Sequence, residues 1–170
     1  MDYPTPINND DKYCAGDPNP DFYYGLNVKL SYKNWDFGFN GHGSFGYKVF
    51  NDFASNNSTA YFDVNAGNLP NFATAVKRTG FTQISGDYQF FSDFYLEDAS
   101  FFRMDDINLG YTFKDLGKWG GNIRVAASCQ NVFVLTKYSG IDPEINSTDG
   151  VDRTFWPRPR TFSVRLNVNF

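Results

Sequence analysis

The sequence predicts an all-β fold, and more closely a segment of an antiparallel, up-and-down transmembrane β-barrel. One observation is the closing strand, residues 160–170, in which apolar and polar side chains alternate without a break. A second is that short and long connections alternate between the predicted strands. Alternating apolar and polar side chains are typical of a strand that separates lipid from an aqueous interior. Alternating short and long connections are typical of membrane barrels. The residues expected to face lipid are Phe162, Val164, Leu166, Val168 and Phe170.

The first predicted hairpin spans residues 23–50 and follows a proline-rich loop over residues 1–22. Its first strand alternates strictly, a tight turn is expected at residues 33–34, and the second strand alternates through Tyr47 and Val49. Period-two alternation on both sides of a two-residue turn is typical of a β-hairpin.

The second predicted hairpin spans residues 101–138, with a glycine-containing turn at residues 115–121. Residues 51–100 and 139–159 show no sustained period and are predicted to be long loops. Membrane barrels have short periplasmic turns and long extracellular loops. We therefore expect both long loops, and residues 1–22, to be extracellular.

The composition permits a membrane barrel. Aromatic residues make up 19% of the 170 residues, and mean hydropathy is −0.47. Interior-facing residues dilute the hydropathy of such barrels. The sequence has no run of about 18 apolar residues, so no transmembrane helix is predicted. The net charge of −4 comes without a basic cluster, so no nucleic-acid partner is predicted. Cys14 and Cys129 lack metal or redox spacing, and unpaired thiols are expected.

Five strands are too few to close a membrane barrel, which needs about eight. The unpaired edges of an open sheet are untenable in lipid. We therefore expect the chain to be part of a larger barrel, whose remainder contains the missing strands, either on another polypeptide or in a part of the same protein lost by truncation. The N-terminal residues show neither the basic nor the apolar region of a secretory signal. An outer-membrane protein needs such a signal, so we expect either that the chain lacks the true N-terminus of a longer protein or that the membrane interpretation is wrong.

Several motifs occur along the chain in a fixed order. They are Gly16–Phe22, Tyr95–Met104, Ile107–Phe113, Gln130–Phe133, Lys137–Glu144 and Pro157–Phe162. Together they resemble the C-terminal part of SusC/RagA-type TonB-dependent outer-membrane transporters of Bacteroidetes. The resemblance spans most of the chain.

The resemblance implies a barrel of about 22 strands, of which this chain would be about the last five. It implies an N-terminal plug, a SusD-like surface lipoprotein as partner, energy supplied through TonB, and contact with membrane lipid. The implied activity is import of a glycan, oligosaccharide or peptide across the cell outer membrane, without enzyme activity or a cofactor. Phe170 and the alternating residues before it would act as the assembly signal. The alternatives are a soluble β-sandwich carbohydrate-binding module and a passive porin.

The acidic loop near the C-terminus suggests two kinds of site. Carboxylates at this density can bind Ca²⁺, although the spacing differs from that of an EF-hand. The weak calcium candidates are Asp142, Glu144, Asp149 and Asp152. A solvated loop, or contact with the SusD-like lid, would explain the same residues.

Four residues are candidate ligand or lid contacts: Tyr88, Tyr95, Tyr138 and Asp142. Aromatic side chains in residues 51–100 could stack on sugar rings, but loop packing explains them better. His42 is the only histidine and is expected to be a polar interior residue rather than a catalytic one. Arginines such as Arg103 and Arg124 are expected to pair with interior carboxylates, for example Asp36 or Asp106.

Overall fold

The computed structural model describes residues 10, 12–58, 76–79, 92–114, 120–145, 149–153 and 156–169. The strands are β1 (Phe22–Tyr32), β2 (Trp35–Phe45), β3 (Lys48–Asn51), β4 (Leu96–Asp98), β5 (Phe101–Phe113), β6 (Asn122–Thr136), β7 (Val151–Asp152) and β8 (Thr161–Asn169). The helices are α1 (Asp52–Asn57) and α2 (Val76–Thr79), and a 3-10 turn spans Asp93–Tyr95.

The five long strands form one sheet in the order β1-β2-β5-β6-β8, and every neighbouring pair is antiparallel. The predicted set of five antiparallel strands is therefore confirmed. The turn between β1 and β2 is as short as predicted, because Lys33 adopts the left-handed conformation (φ 55°) that tight hairpin turns need. In the described residues this sheet is open, with β1 and β8 at its edges.

The strand register aligns the alternation of all five long strands, because residues directly opposite each other share a face. One row across the sheet consists of Val28, Phe39, Ile107, Cys129 and Phe162. The next row on that face consists of Leu30, Phe37, Leu109, Ala127 and Val164. The sheet therefore has one apolar face and one polar face.

One irregularity interrupts β6. Between the pairs Asp106–Gln130 and Met104–Phe133, β6 has one more residue than β5. Asn131 lies in this bulge with φ 51°, a left-handed conformation that asparagine tolerates better than most residues.

A second sheet, in the order β4-β3-β7, lies at one end of the main sheet, where it covers a small buried core. The predicted extension of the second strand through Tyr47 and Val49 is wrong. β2 ends at Phe45, Gly46 turns the chain with φ 79°, and β3 then pairs with β4 and β7.

The buried core consists of Tyr47, Val49, Ala99, Phe101 and Tyr138. The regions predicted as loops over residues 51–100 and 139–159 therefore contain short strands, which are too short to show a periodic pattern. No helix in the described part of the chain is long and apolar enough to cross a membrane. Both cysteines have free thiols, as predicted.

Candidate functional site: a sheet with one apolar and one polar face

The apolar face is widely exposed. On β8, 76% of Phe162, 80% of Val164 and 64% of Leu166 is exposed, and Val168 is also exposed. These four predicted lipid-facing residues lie on the same face. Phe170, the fifth, lies outside the described residues. An uncovered apolar surface of this extent marks a contact with lipid or with another protein.

Aromatic rings cluster near both ends of the apolar face. At one end the ring of Tyr24 stacks on Phe45 and Phe102, with centroids 5.5 and 5.9 Å apart. At the other end Trp35 meets the ring of Tyr111 edge-on at 4.7 Å. Membrane barrels have aromatic girdles at both interfaces of the bilayer.

The polar face contains an ion pair that spans three strands. Arg124 on β6 donates hydrogen bonds to both carboxylate oxygens of Asp36 on β2, with Nε 3.0 Å from Oδ2. The predicted pairing of an arginine with Asp36 is thus confirmed. Asp106, the other predicted carboxylate, accepts a hydrogen bond from Asn108 instead.

A larger ionic cluster lies at the end of the polar face that adjoins the small sheet. We define the ionic cluster as His42, Arg103, Asp105, Asp142, Glu144 and Arg158. Its innermost pair is Arg103–Asp142, with Nη2 2.5 Å from Oδ1 and both side chains buried. Arg158 binds Asp142 (Nε–Oδ2, 3.0 Å) and Glu144 (Nη1–Oε2, 2.7 Å).

His42 joins the ionic cluster from β2. Its Nδ1 lies 2.7 Å from Oδ2 of Asp105, and its Nε2 lies 3.4 Å from Oε2 of Glu144. The predicted position of His42 on the polar face is therefore observed. No hydroxyl or thiol nucleophile lies against His42 among its described polar contacts.

The structure does not support the calcium candidates. Asp142 and Glu144 pair with arginines, Asp149 pairs with Arg153 at 2.9 Å, and Asp152 accepts a hydrogen bond from Tyr138. Within the described ranges, no group of three or more potential metal ligands converges. Arginine side chains and the Tyr138 hydroxyl occupy carboxylate oxygens that a cation would need.

Three of the four candidate ligand or lid contacts are buried within the chain. Tyr95 is 2% exposed and its hydroxyl bonds to Ser58, whereas Tyr138 is 6% exposed and donates to Asp152 at 2.7 Å. Asp142 is held by Arg103. Tyr88 lies outside the described residues.

Burial raises the pKa of the Tyr138 hydroxyl well above its usual range, and the hydrogen bond to Asp152 raises this pKa further. Burial likewise raises the pKa of Tyr47, whose hydroxyl donates to the Pro143 carbonyl at 2.9 Å. Both hydroxyls therefore remain hydrogen-bond donors, one to the Pro143 carbonyl and one to Asp152.

Sequence reasoning missed Asn131. Its Nδ2 donates to the Arg158 carbonyl at 2.7 Å, and its Oδ1 accepts from Nη1 of Arg103 at 2.7 Å. The available signal was the break in alternation after Gln130, at a residue type that tolerates positive φ.

Comparison with known proteins agrees with this architecture. The chain is 39% identical to the TonB-dependent receptor SusC of Bacteroides thetaiotaomicron over 96% of the chain. It is 32% identical to the TonB-dependent receptor P3 of Formosa agariphila, again over 96% of the chain. The resemblance to SusC/RagA-type TonB-dependent receptors is confirmed. No family model matches the chain.

The fold is also shared with part of a solved TonB-dependent transporter. The RagAB peptide importer in its closed-closed state matches 98% of the chain, with a TM-score of 0.67 and 17% identity. The predicted fold class, a segment of an antiparallel β-barrel, is therefore confirmed. The chain spans 16% and 18% of the lengths of SusC and P3, and 20% of the RagAB chain.

Proposed function

We propose that this chain is a wall segment of a TonB-coupled nutrient importer in the bacterial outer membrane. The observation that carries the proposal is the aligned register of five strands, which joins their apolar side chains into one exposed face. In water such a face would be costly, because burying apolar surface gains about 25 cal/mol per Å². In a bilayer the lipid chains cover it.

The spacing of the aromatic clusters fits the thickness of a membrane. Tyr24 belongs to one cluster, and Tyr32 lies directly opposite Trp35 of the other. These two tyrosines are eight residues apart on β1, which is roughly 26 Å along a strand. At a strand tilt of about 40° this becomes about 20 Å along the membrane normal, close to the apolar band of about 25 Å in known barrels. We assign the apolar face to lipid.

The polar face would then line the aqueous interior. The Arg124–Asp36 pair is partly open to solvent, with 31% and 34% of the two side chains exposed. A charged pair of this kind suits a water-filled lumen, whereas charged residues on the lipid face destabilise a barrel.

Loop lengths favour one orientation in the membrane. The short β1–β2 turn lies at the Trp35 end of the sheet, and the small sheet and the ionic cluster lie at the opposite end. Because periplasmic turns are short, the end with the small sheet is proposed to be extracellular, together with residues 1–22, 51–100 and 139–159. β8 would then close the barrel against its first strand.

The partners follow from the relatives. The remainder of the barrel and a plug would come from the rest of the same polypeptide, with TonB supplying energy through the plug. A SusD-like lipoprotein would cover the extracellular end. One solved relative is a peptide importer, and a peptide or oligosaccharide is the proposed substrate class. TonB coupling distinguishes this proposal from a passive porin, and the similarity to TonB-dependent receptors favours it.

The test is insertion of the full-length protein into the outer membrane. Val164→Arg, Leu166→Arg and Val168→Arg should each impair insertion, because an arginine on the lipid-facing side costs up to roughly 2–4 kcal/mol, most at mid-bilayer and least near the interfaces. Ser163→Arg, on the polar face of the same strand, is the matched control and should insert normally. Normal insertion of all three apolar-face variants would refute the lipid-facing assignment.

A further inference from the structure

We infer that Asn131 and Arg158 form a register clamp, which fixes how β8 is aligned with β6. The inference rests on the proposed function, because the alignment of β8 determines how the barrel closes. The clamp joins Asn131, in the β6 bulge, to Arg158, the first of the three residues that precede β8.

β8 needs an external determinant of register. Among the described residues it pairs with β6 alone, and its alternation has a period of two. A one-residue shift would move every apolar side chain to the polar face, so the pattern forbids it. A two-residue shift keeps every side chain on its own face. The alternation of β8 therefore determines which face of the sheet each side chain occupies, but it does not determine the register.

A tight turn often fixes register, but β6 and β8 are joined by a long connection from Lys137 to Arg160. Electrostatics disfavours one of the two possible shifts. Arg165 now lies opposite Ala126, and a shift in one direction would place it opposite Arg124. Like charges directly opposite each other are destabilising. The other shift places Arg165 opposite Ser128 without such a penalty.

The clamp acts against this second shift. Gln130–Thr161 is the first paired position of β6 and β8, and Asn131 follows Gln130 directly. The Asn131 amide donates to the backbone carbonyl of Arg158 at 2.7 Å and lies 3.4 Å from that of Pro159. These bonds hold the chain just before β8 at one position along β6.

Ion pairs between side chains hold the same segment. Arg158 binds Asp142 and Glu144, and Asp142 is itself held by the buried Arg103. Arg103 also donates to Asn131 at 2.7 Å, which keeps the Asn131 amide aimed at the Arg158 carbonyl. A two-residue shift moves a strand by about 7 Å and would break all these contacts.

The native thiol of Cys129 allows the register to be measured. Cys129 lies directly opposite Phe162, whereas after the second shift it would lie opposite Val164. In a Cys14→Ser background of the full-length protein, Phe162→Cys reports the observed register and Val164→Cys reports the shifted one. Directly opposite cysteines lie close enough to form a disulfide, whereas diagonal neighbours about 7–8 Å apart form it poorly.

With the clamp intact, oxidation should join Cys129 to Cys at position 162 and not at position 164. Asn131→Gly keeps the left-handed backbone and removes the amide, and Arg158→Gln removes the ion pairs. Each variant should lower the ratio of the 162 cross-link to the 164 cross-link by about tenfold, as expected for loss of hydrogen bonds to charged groups. Arg158→Gln leaves the bulge untouched and therefore decides the result if Asn131→Gly does not fold.

Arg153→Gln is the matched control. It removes an exposed arginine from the same connection, and the ion-pair partner of that arginine, Asp149, lies four residues before it in that connection. An unchanged cross-linking ratio in both clamp variants, or an equal change in Arg153→Gln, would overturn the clamp. Insertion is scored separately by protection from protease. If the clamp variants lower the cross-linking ratio but the protein does not insert, the proposed function is refuted and the clamp is supported.

Discussion

Arg124 on β6 reaches across β5 to form a bidentate ion pair with Asp36 on β2. The strand between them contributes Gly110 at the crossing point. A Cβ at Gly110 would lie 2.5 Å from both Nη2 of Arg124 and Oδ2 of Asp36. The absent side chain is what allows two strands that are not neighbours to share a salt bridge on the polar face.

Gly110→Ala should therefore break the Arg124–Asp36 pair. We expect a loss of about 1 kcal/mol in unfolding free energy, since the pair is only partly buried. Urea unfolding of the full-length protein in detergent micelles measures it. Gly25→Ala is the matched control, because a Cβ there would meet nothing within 4 Å. Equal stability of the two variants would contradict the expected loss.

Arg103 should be the most sensitive residue of the ionic cluster. Arg103→Gln leaves Asp142 buried without its principal counter-charge, and breaking a buried pair costs about 3–5 kcal/mol. Arg153→Gln removes an exposed partner and should change stability by less than about 1 kcal/mol. The same unfolding experiment compares them. A loss in Arg103→Gln no larger than that in Arg153→Gln would mean that the buried pair does not stabilise the fold.

Stability should fall at alkaline pH because of Tyr47 and Tyr138. Burial raises the pKa of both hydroxyls above the usual value of 10.0. Above pH about 10 the unfolded chain releases protons that the folded chain retains, so rising pH favours unfolding. The unfolding midpoint should therefore decrease from that pH upward. Their stabilising contribution is fully present below pH about 10.

The double variant Tyr47→Phe/Tyr138→Phe should show a flatter pH profile. It should also be less stable at neutral pH by about 1–3 kcal/mol, since hydrogen bonds to Pro143 and Asp152 are lost. Tyr32→Phe, at an exposed site, should keep the profile of the unmodified protein. An unaltered alkaline slope in the double variant would assign the effect to other groups.

The sequence predicts the long strands well because alternation over nine or more residues leaves little ambiguity. β8 shows the pattern in its whole length, and the same holds for most of β1 and β2. β4 and β7 have three and two residues, too few to display a period. Their pairing with β3 depends on contacts between residues that are distant in sequence.

The burial of the candidate site residues depends on partners that are remote in sequence. Tyr138 and Asp142 occur in a polar, loop-like stretch that resembles a solvated surface. Tyr138 donates a hydrogen bond to Asp152, and Asp142 pairs with Arg103. No local sequence pattern connects these residues. Asp36 was predicted correctly because period-two alternation alone places it on the polar face with the arginines.

Contact between lipid and one face of the sheet can be measured by a cysteine scan along β8. Single cysteines at positions 162–169, in a background with Cys14 and Cys129 replaced, would carry a fluorophore in the full-length protein in lipid vesicles. Quenching by a lipid-soluble and by a water-soluble quencher would be compared. The lipid-soluble quencher should dominate at positions 162, 164, 166 and 168, and the water-soluble one at 163, 165, 167 and 169. Quenching without alternation, or with the opposite phase, would contradict the account.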